Sequence, residues 1–261
     1  FIISIFSIYC IYKLGKLSKG YLSTYVICFP YIITVVFFGF VRQGIAFCFL
    51  ILAIYFFTNN KKYPYLYFYI FTIIGTLFHK SLIVFLFIPL LFIKINLRSF
   101  FFIFLCLIIT IIIFYLNYEE YLRLHRFYLG EDMYFSSSGA IMRWGLNFIP
   151  SIIYILYLHK FIENKNERRL FYILSLISIF SIFIISDYSS FVDRYLIYFS
   201  LLQPYVYGRM FFLLKDNIIN YLFRIIIVIF YILIYFIWFN FSIHSSLWIP
   251  YDNILFFGKY I

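Results

Sequence analysis

The chain has 261 residues, of which 66% are hydrophobic and only 12% charged, with a mean hydropathy of +1.00. A soluble domain carries about twice that charged share and could not hide so much apolar surface, so the composition excludes a water-soluble globular protein. The formal charge of +11 sits in short clusters between apolar runs, which points to membrane topology and away from a nucleic-acid partner.

In chain order, apolar runs bounded by charges fall at about 1–12, 21–40, 44–57, 65–78, 82–93, 99–116, 144–158, 170–186, 195–208 and 221–239. They predict an all-α protein, a polytopic transmembrane bundle of about ten segments that forms one integral membrane domain over 1–261. The chain begins at Phe1 and its first run is short, so an N-terminal part with one or more further helices is expected to precede it. Several runs fall short of the ~20 residues a straight helix needs to cross ~30 Å of hydrocarbon. Those helices are expected to continue through flanking polar residues, which brings Arg42, Gln43, His79, Asp193 and Arg194 to the membrane boundary.

Alternate connections differ in charge. Connections 13–19, 58–64, 94–98, 159–169 and 208–217, with Arg224, hold fourteen of the 21 Lys and Arg residues. The others, 41–43, 79–81, 117–143, 187–194 and the tail after 239, hold seven. The positive-inside rule makes the first set cytoplasmic and the second external. The long connection 117–143 becomes a larger outer-face loop. Within it Glu119, Arg123 and Arg126 share one helical face and Tyr121, Leu124 and Tyr128 another, the pattern of a short amphipathic helix lying on the membrane surface. Ser136, Ser137, Ser138 and Gly139 then supply a turn before Arg143 and Trp144.

The polar residues that are more than loop punctuation gather on the outer side: Arg42, Gln43, His79, Arg123, His125, Arg126, Arg143, Asp187, Asp193 and Arg194. Ionisable groups at membrane depth are expensive and tend to face cavities or substrates. An arginine-rich vestibule suits a polyanion such as a diphosphate, because guanidinium groups grip phosphate oxygens in pairs. Plainer readings stand beside this one. Arg42 can snorkel from a helix end, His79 can bond a neighbouring helix, and Asp193 and Arg194 can form structural ion pairs. The run Lys160 to Arg169 reads as a topology signal.

No HExxH, CxxC, GxSxG or glycine-rich phosphate loop occurs, and no DxD pair announces a metal-dependent glycosyltransferase. Neither a metal nor a cofactor is expected. Cys10, Cys28, Cys48 and Cys106 lie inside apolar runs without paired spacing, as inert thiols do. Phe and Tyr number 39 and 28. An AT-rich coding bias would raise both, so no single tyrosine counts as evidence of sugar stacking.

The stretch Val41-Arg42-Gln43-Gly44-Ile45-Ala46, followed by Phe78-His79-Lys80-Ser81, then Asp193-Arg194-Tyr195 and the tail Ile249-Pro250-Tyr251, resembles the EpsG family. These are Wzy-like polymerases of bacterial O-antigen, capsule and exopolysaccharide. The resemblance implies a multi-pass protein of the bacterial cytoplasmic membrane. It would transfer a growing glycan from undecaprenyl diphosphate to a lipid-linked repeat unit at the outer face, without a metal. Its partners would be the undecaprenyl-diphosphate-linked oligosaccharide, membrane lipid and a chain-length regulator protein. On this reading Arg42, Arg194 and Arg143 hold the diphosphate, with Gln43, Arg123 and Arg126 as further substrate contacts. His79 is the first choice of catalytic base and Asp193 the second. Other membrane glycan enzymes, an O-antigen ligase or an O-acyltransferase, and a lipid-linked oligosaccharide flippase stay open as alternatives.

Overall fold

A computed structural model describes residues 2–60, 62–92, 139–214 and 217–242, with Ser137 and scattered positions between 104 and 123. Among these residues every regular element is helical. Helix α1 (Ile2–Ser18) leads through Lys19 and Gly20 into α2 (Tyr21–Cys28), which runs on as a π-helical stretch, Phe29–Phe37. Then come α3 (Val41–Asn59), α4 (Pro64–Phe78) and a 3-10 helix, Lys80–Phe92. After the long connection follow α5 (Ala140–Leu156), a 3-10 turn at Leu158–Phe161 and α6 (Lys165–Phe180). The chain continues with α7 (Ile182–Phe199), α8 (Leu202–Leu213) and α9 (Asn217–Phe241).

Local chemistry sets several of these boundaries. Pro64 opens α4 in its first turn, where a missing N–H leaves no bond unmade. The Asn164 side chain caps α6 by accepting from the amides of Asn166 at 3.0 Å and Glu167 at 3.3 Å, replacing bonds that a helix start otherwise lacks. The short connection between α3 and α4 makes them packed neighbours. One apolar core runs from Cys10 and Leu14 on α1 through Phe47 and Ile51 on α3 to Phe171 on α6 and Tyr205 on α8. Cys10, Cys28 and Cys48 are buried free thiols, and Cys106 lies outside the described residues.

The expectation of about ten spanning segments needs correction. By length and composition two described helices can each cross a membrane, Val41–Asn59 and Ile218–Phe241, and a bent pair would raise that to three. The remaining apolar helices run to 10–17 residues, below the ~20 of a straight span. The run 170–186 is not one segment: α6 ends at Phe180 and the next helix departs at 92°. The expected connection 187–194 is instead a break at Tyr188 (φ −134°, ψ 47°) within α7, and Asp193 and Arg194 lie on the helical segment that follows it. Charges mark a helix end in sequence only if they need water, and Asp193 finds a partner inside the fold, so it sits within the helical segment after the break. In the predicted surface helix, Tyr118, Glu119, Leu122 and Arg123 are helical and exposed, while Tyr121, Leu124, Arg126 and Tyr128 lie outside the described residues.

Polar contacts sort the connections into two ends of the bundle. At one end Arg209 Nε donates to the Leu17 carbonyl at 2.8 Å, and Asn164 Nδ2 donates to that of Thr58 at 2.6 Å. These bonds join 208–217 to 13–19 and 159–169 to 58–64, and the Arg209–Glu167 pair links the two. At the other end Gln43 reaches Arg194, His79 reaches Tyr198, and Ser137 reaches Asp193. The grouping matches the alternation of charge in the sequence. Between the ends, Gln203 donates to Asn147 at 2.7 Å and accepts from the Tyr231 hydroxyl at 2.7 Å. That buried chain joins α5, α8 and α9, as polar pairs must in apolar surroundings.

The basic end is closed by an ion pair. Glu167 on α6 and Arg209 on α8 are both buried and form a salt bridge, and the Tyr205 hydroxyl donates to the same carboxylate at 2.7 Å. Glu167→Ala strands a buried guanidinium and is expected to destabilise the fold by about 3–5 kcal/mol. Exposed Lys160→Ala should stay within about 0.5 kcal/mol of the parent. The midpoint of thermal unfolding in detergent checks both.

Candidate functional site

The end with fewer basic residues holds the polar cluster. Helix α3 starts at Val41 after a break at Phe40, so Arg42 and Gln43 fall in its first turn. Arg42 is exposed, whereas Gln43 is buried and donates through Nε2 to the Arg194 carbonyl at 2.7 Å. This bond ties the start of α3 to α7 across 151 positions of sequence. Helix α4 ends at His79, whose backbone turns extended at φ −149°, ψ 115°. The imidazole is thereby carried in a joint between two helices.

Two side chains hold that ring. His79 Nδ1 lies 2.6 Å from Ser81 Oγ, Ser81 Oγ lies 3.0 Å from the Tyr198 hydroxyl, and that hydroxyl is 3.4 Å from Nδ1. Tyr198 is fully buried on α7, between the rings of Phe47 at 6.4 Å and Phe85 at 5.4 Å, so it is a rigid post. Partial burial, then the nearby guanidiniums of Arg194 and Arg42, push the His79 imidazole down to about 4. Both causes disfavour the charged ring, and His79 is therefore neutral at physiological pH.

A second group adjoins it on α7. Arg143, on α5, forms a salt bridge with Asp193, and its guanidinium carbon lies 5.6 Å from the centre of the Tyr31 ring. Asp193 Oδ2 also accepts from Ser137 Oγ at 2.9 Å, and the Ser137 amide donates to Ser189 Oγ at 3.0 Å. The structure thus brings Arg42, Gln43, His79 and Arg194 together and pairs Arg143 with Asp193. For Asp193 the plainer expectation, a structural ion pair, is the arrangement found. Arg123 is exposed on its helix, and Arg126 lies outside the described residues.

Sequence reasoning named none of Ser81, Ser137 and Tyr198 as a site residue, although Ser81 lies in the Phe78–Ser81 motif. One signal was available for Tyr198: it follows Arg194 by four positions, which puts both on one face of a helix. Among the described residues no three His, Cys, Asp or Glu side chains gather as a metal site would require. The cluster can do two things, bind a polyanion through paired guanidiniums and accept a proton on a neutral imidazole.

These features define a helical membrane protein with a basic polar site at one end of its bundle. The EpsG family profile matches residues 1–253, and the chain belongs to the EpsG family, a family of membrane proteins of polysaccharide biosynthesis. Comparisons with curated proteins and with solved structures found no match.

The electrostatics of His79 can be measured directly. In protein labelled with 15N-histidine, its protonation midpoint is expected well below the ordinary 6.5, near about 4. Arg42→Ala should raise that midpoint, because removing a nearby positive charge eases protonation.

Proposed function

We propose that this protein is a repeat-unit polymerase of a bacterial surface polysaccharide. It transfers a growing glycan from undecaprenyl diphosphate to a lipid-linked repeat unit at the outer face of the cytoplasmic membrane. The observation that carries the reading is the His79 imidazole, held 2.6 Å from Ser81 Oγ and 3.4 Å from the Tyr198 hydroxyl, beside the start of α3 that Gln43 ties to Arg194. It lies at the end of the bundle with fewer basic residues, the end that the positive-inside rule assigns to the exterior. Family membership supports the substrate class.

The chemistry follows from charge. An acceptor hydroxyl attacks the anomeric carbon of the donor glycan as the bond from that carbon to the diphosphate oxygen breaks. The bonding pair leaves on the diphosphate, whose added charge Arg42 and Arg194 stabilise where it develops. His79 takes the hydroxyl proton. With Nδ1–H donated to Ser81, the lone pair stands on Nε2, and Tyr198 holds Ser81 in place for that tautomer. The products are a glycan longer by the transferred chain, still on its lipid diphosphate, and free undecaprenyl diphosphate. The good leaving group removes the need for a separate acid. Gln43 acts on Arg194 from behind, through its backbone, and the Arg143–Asp193 pair braces α5 against α7.

His79→Ala is expected to reduce polymerisation by ~10²–10⁴-fold, the span that a general base contributes, with normal protein abundance. On a gel of surface glycan the ladder should collapse to a single repeat unit. A full ladder from that variant removes His79 from the reaction. In membranes supplied with lipid-linked repeat unit, the rate should show no acid inflection near 6.5 and should fall only as pH drops towards about 4. The sign follows from the role: a base works deprotonated, and a lowered pKa keeps it so to lower pH.

A further inference from the structure

We propose that the opposite end of the bundle carries a binding site for the phosphate headgroup of an anionic phospholipid from the cytoplasmic leaflet. A cavity of about 500 Å³ opens there between α2, the end of α8 and the start of α9. Lys19 and Arg224 line it together with Asn220, and among the described residues no lining residue is acidic. Both cations are exposed, and each is steadied on an aromatic ring. Lys19 Nζ lies 4.5 Å from the centre of Phe212, and the Arg224 guanidinium carbon 5.3 Å from that of Phe211.

The polar rim is built. Asn220 Nδ2 donates to the carbonyls of Phe211 and Leu214 at 2.9 and 3.1 Å, which fixes the amide. Its Oδ1 then accepts from Arg224 Nε at 2.9 Å. That contact uses Nε alone and aims the planar guanidinium, whose remaining N–H groups match two phosphate oxygens. Lys19 sits in the left-handed region at φ 59°, an uncommon conformation for a residue with a side chain, in the tight turn that joins α1 to α2.

Apart from Ser23 the rest of the wall is mainly apolar, with Leu22, Val26 and Val228 among its residues. It continues onto α9, whose spanning window is only 11% buried and where Leu222 and Ile226 are 53% and 61% exposed. A headgroup on the rim would therefore lay its acyl chains along a helix that already faces lipid. A free phosphate would use the rim and leave that surface unserved. Basic pockets between membrane helices on the cytoplasmic side hold anionic headgroups by this division of labour. From Tyr21 to Phe37 the helix rises roughly 25 Å, so the site is separate from the cluster around His79. The inference does not rest on the polymerase reading.

The test compares purified protein in nanodiscs of phosphatidylcholine alone with nanodiscs that also contain phosphatidylglycerol. Native mass spectrometry and thermal unfolding read retained lipid and stability. The parent protein is expected to retain phosphatidylglycerol and to unfold at a higher temperature in its presence. Lys19→Gln with Arg224→Gln should weaken retention roughly 30-fold, the effect of two basic contacts at a lipid surface. Lys19→Arg with Arg224→Lys should keep it, which separates charge from folding. Equal retention by the parent and the double Gln variant would overturn the proposal. So would stabilisation by inorganic phosphate in phosphatidylcholine nanodiscs with none by phosphatidylglycerol, because the ligand would then be the free anion.

Discussion

A carboxylate and a guanidinium enclosed among apolar side chains must meet each other, since water is not there to solvate either. Glu167 and Arg209 meet in this way, and the consequences spread through the bundle. Arg209 also donates to the Leu17 carbonyl, so the pair clamps α6, α8 and α1 at once. Tyr205, one turn before Arg209, shares the carboxylate and stacks on Phe171 with ring centres 3.4 Å apart. The rotation of α8 is thereby fixed. Once it is fixed, Gln203 must face Asn147 and Tyr231. Through the brief joint at Ser200 and Leu201, Tyr198 is delivered under His79.

The two ends use charge differently. At the basic end cations outnumber acids, and some, such as Lys13 and Lys19, lie over aromatic rings. Arg209 is buried, which is why it is matched with an acid. At the other end few cations occur, yet Arg42 and Arg194 both bear on a single histidine. Burial first, and then repulsion between them and an imidazolium, disfavour the charged ring.

Arg143 and Asp193 show how a bundle of short helices is held where apolar packing specifies little. Lipid tails are as apolar as Leu or Ile, so burial alone gives no preference for one rotation of a helix over another. Directional contacts supply it. The Arg143–Asp193 pair, with Ser137 on the second carboxylate oxygen, sets α5 against α7 at one end. Gln43 sets α3 against α7 beside it.

The sequence alone determined the helical character, the alternation of connections between two ends, and the placement of Arg42, Gln43, His79 and Arg194 at one of them. These follow from hydropathy and charge, which are properties of short windows, and from motifs whose spacing is visible in one dimension. Only the tertiary structure decided that α6 ends at Phe180 with a sharp bend and that Asp193 serves Arg143. It alone showed that Ser81 and Tyr198 hold the His79 ring and that Glu167, within a run that reads as a topology signal, anchors the opposite end. Each of these depends on how a helix is rotated about its own axis and on which distant residue it then meets. That information is carried by pairs of side chains separated by tens to more than a hundred positions, and no local window contains both partners.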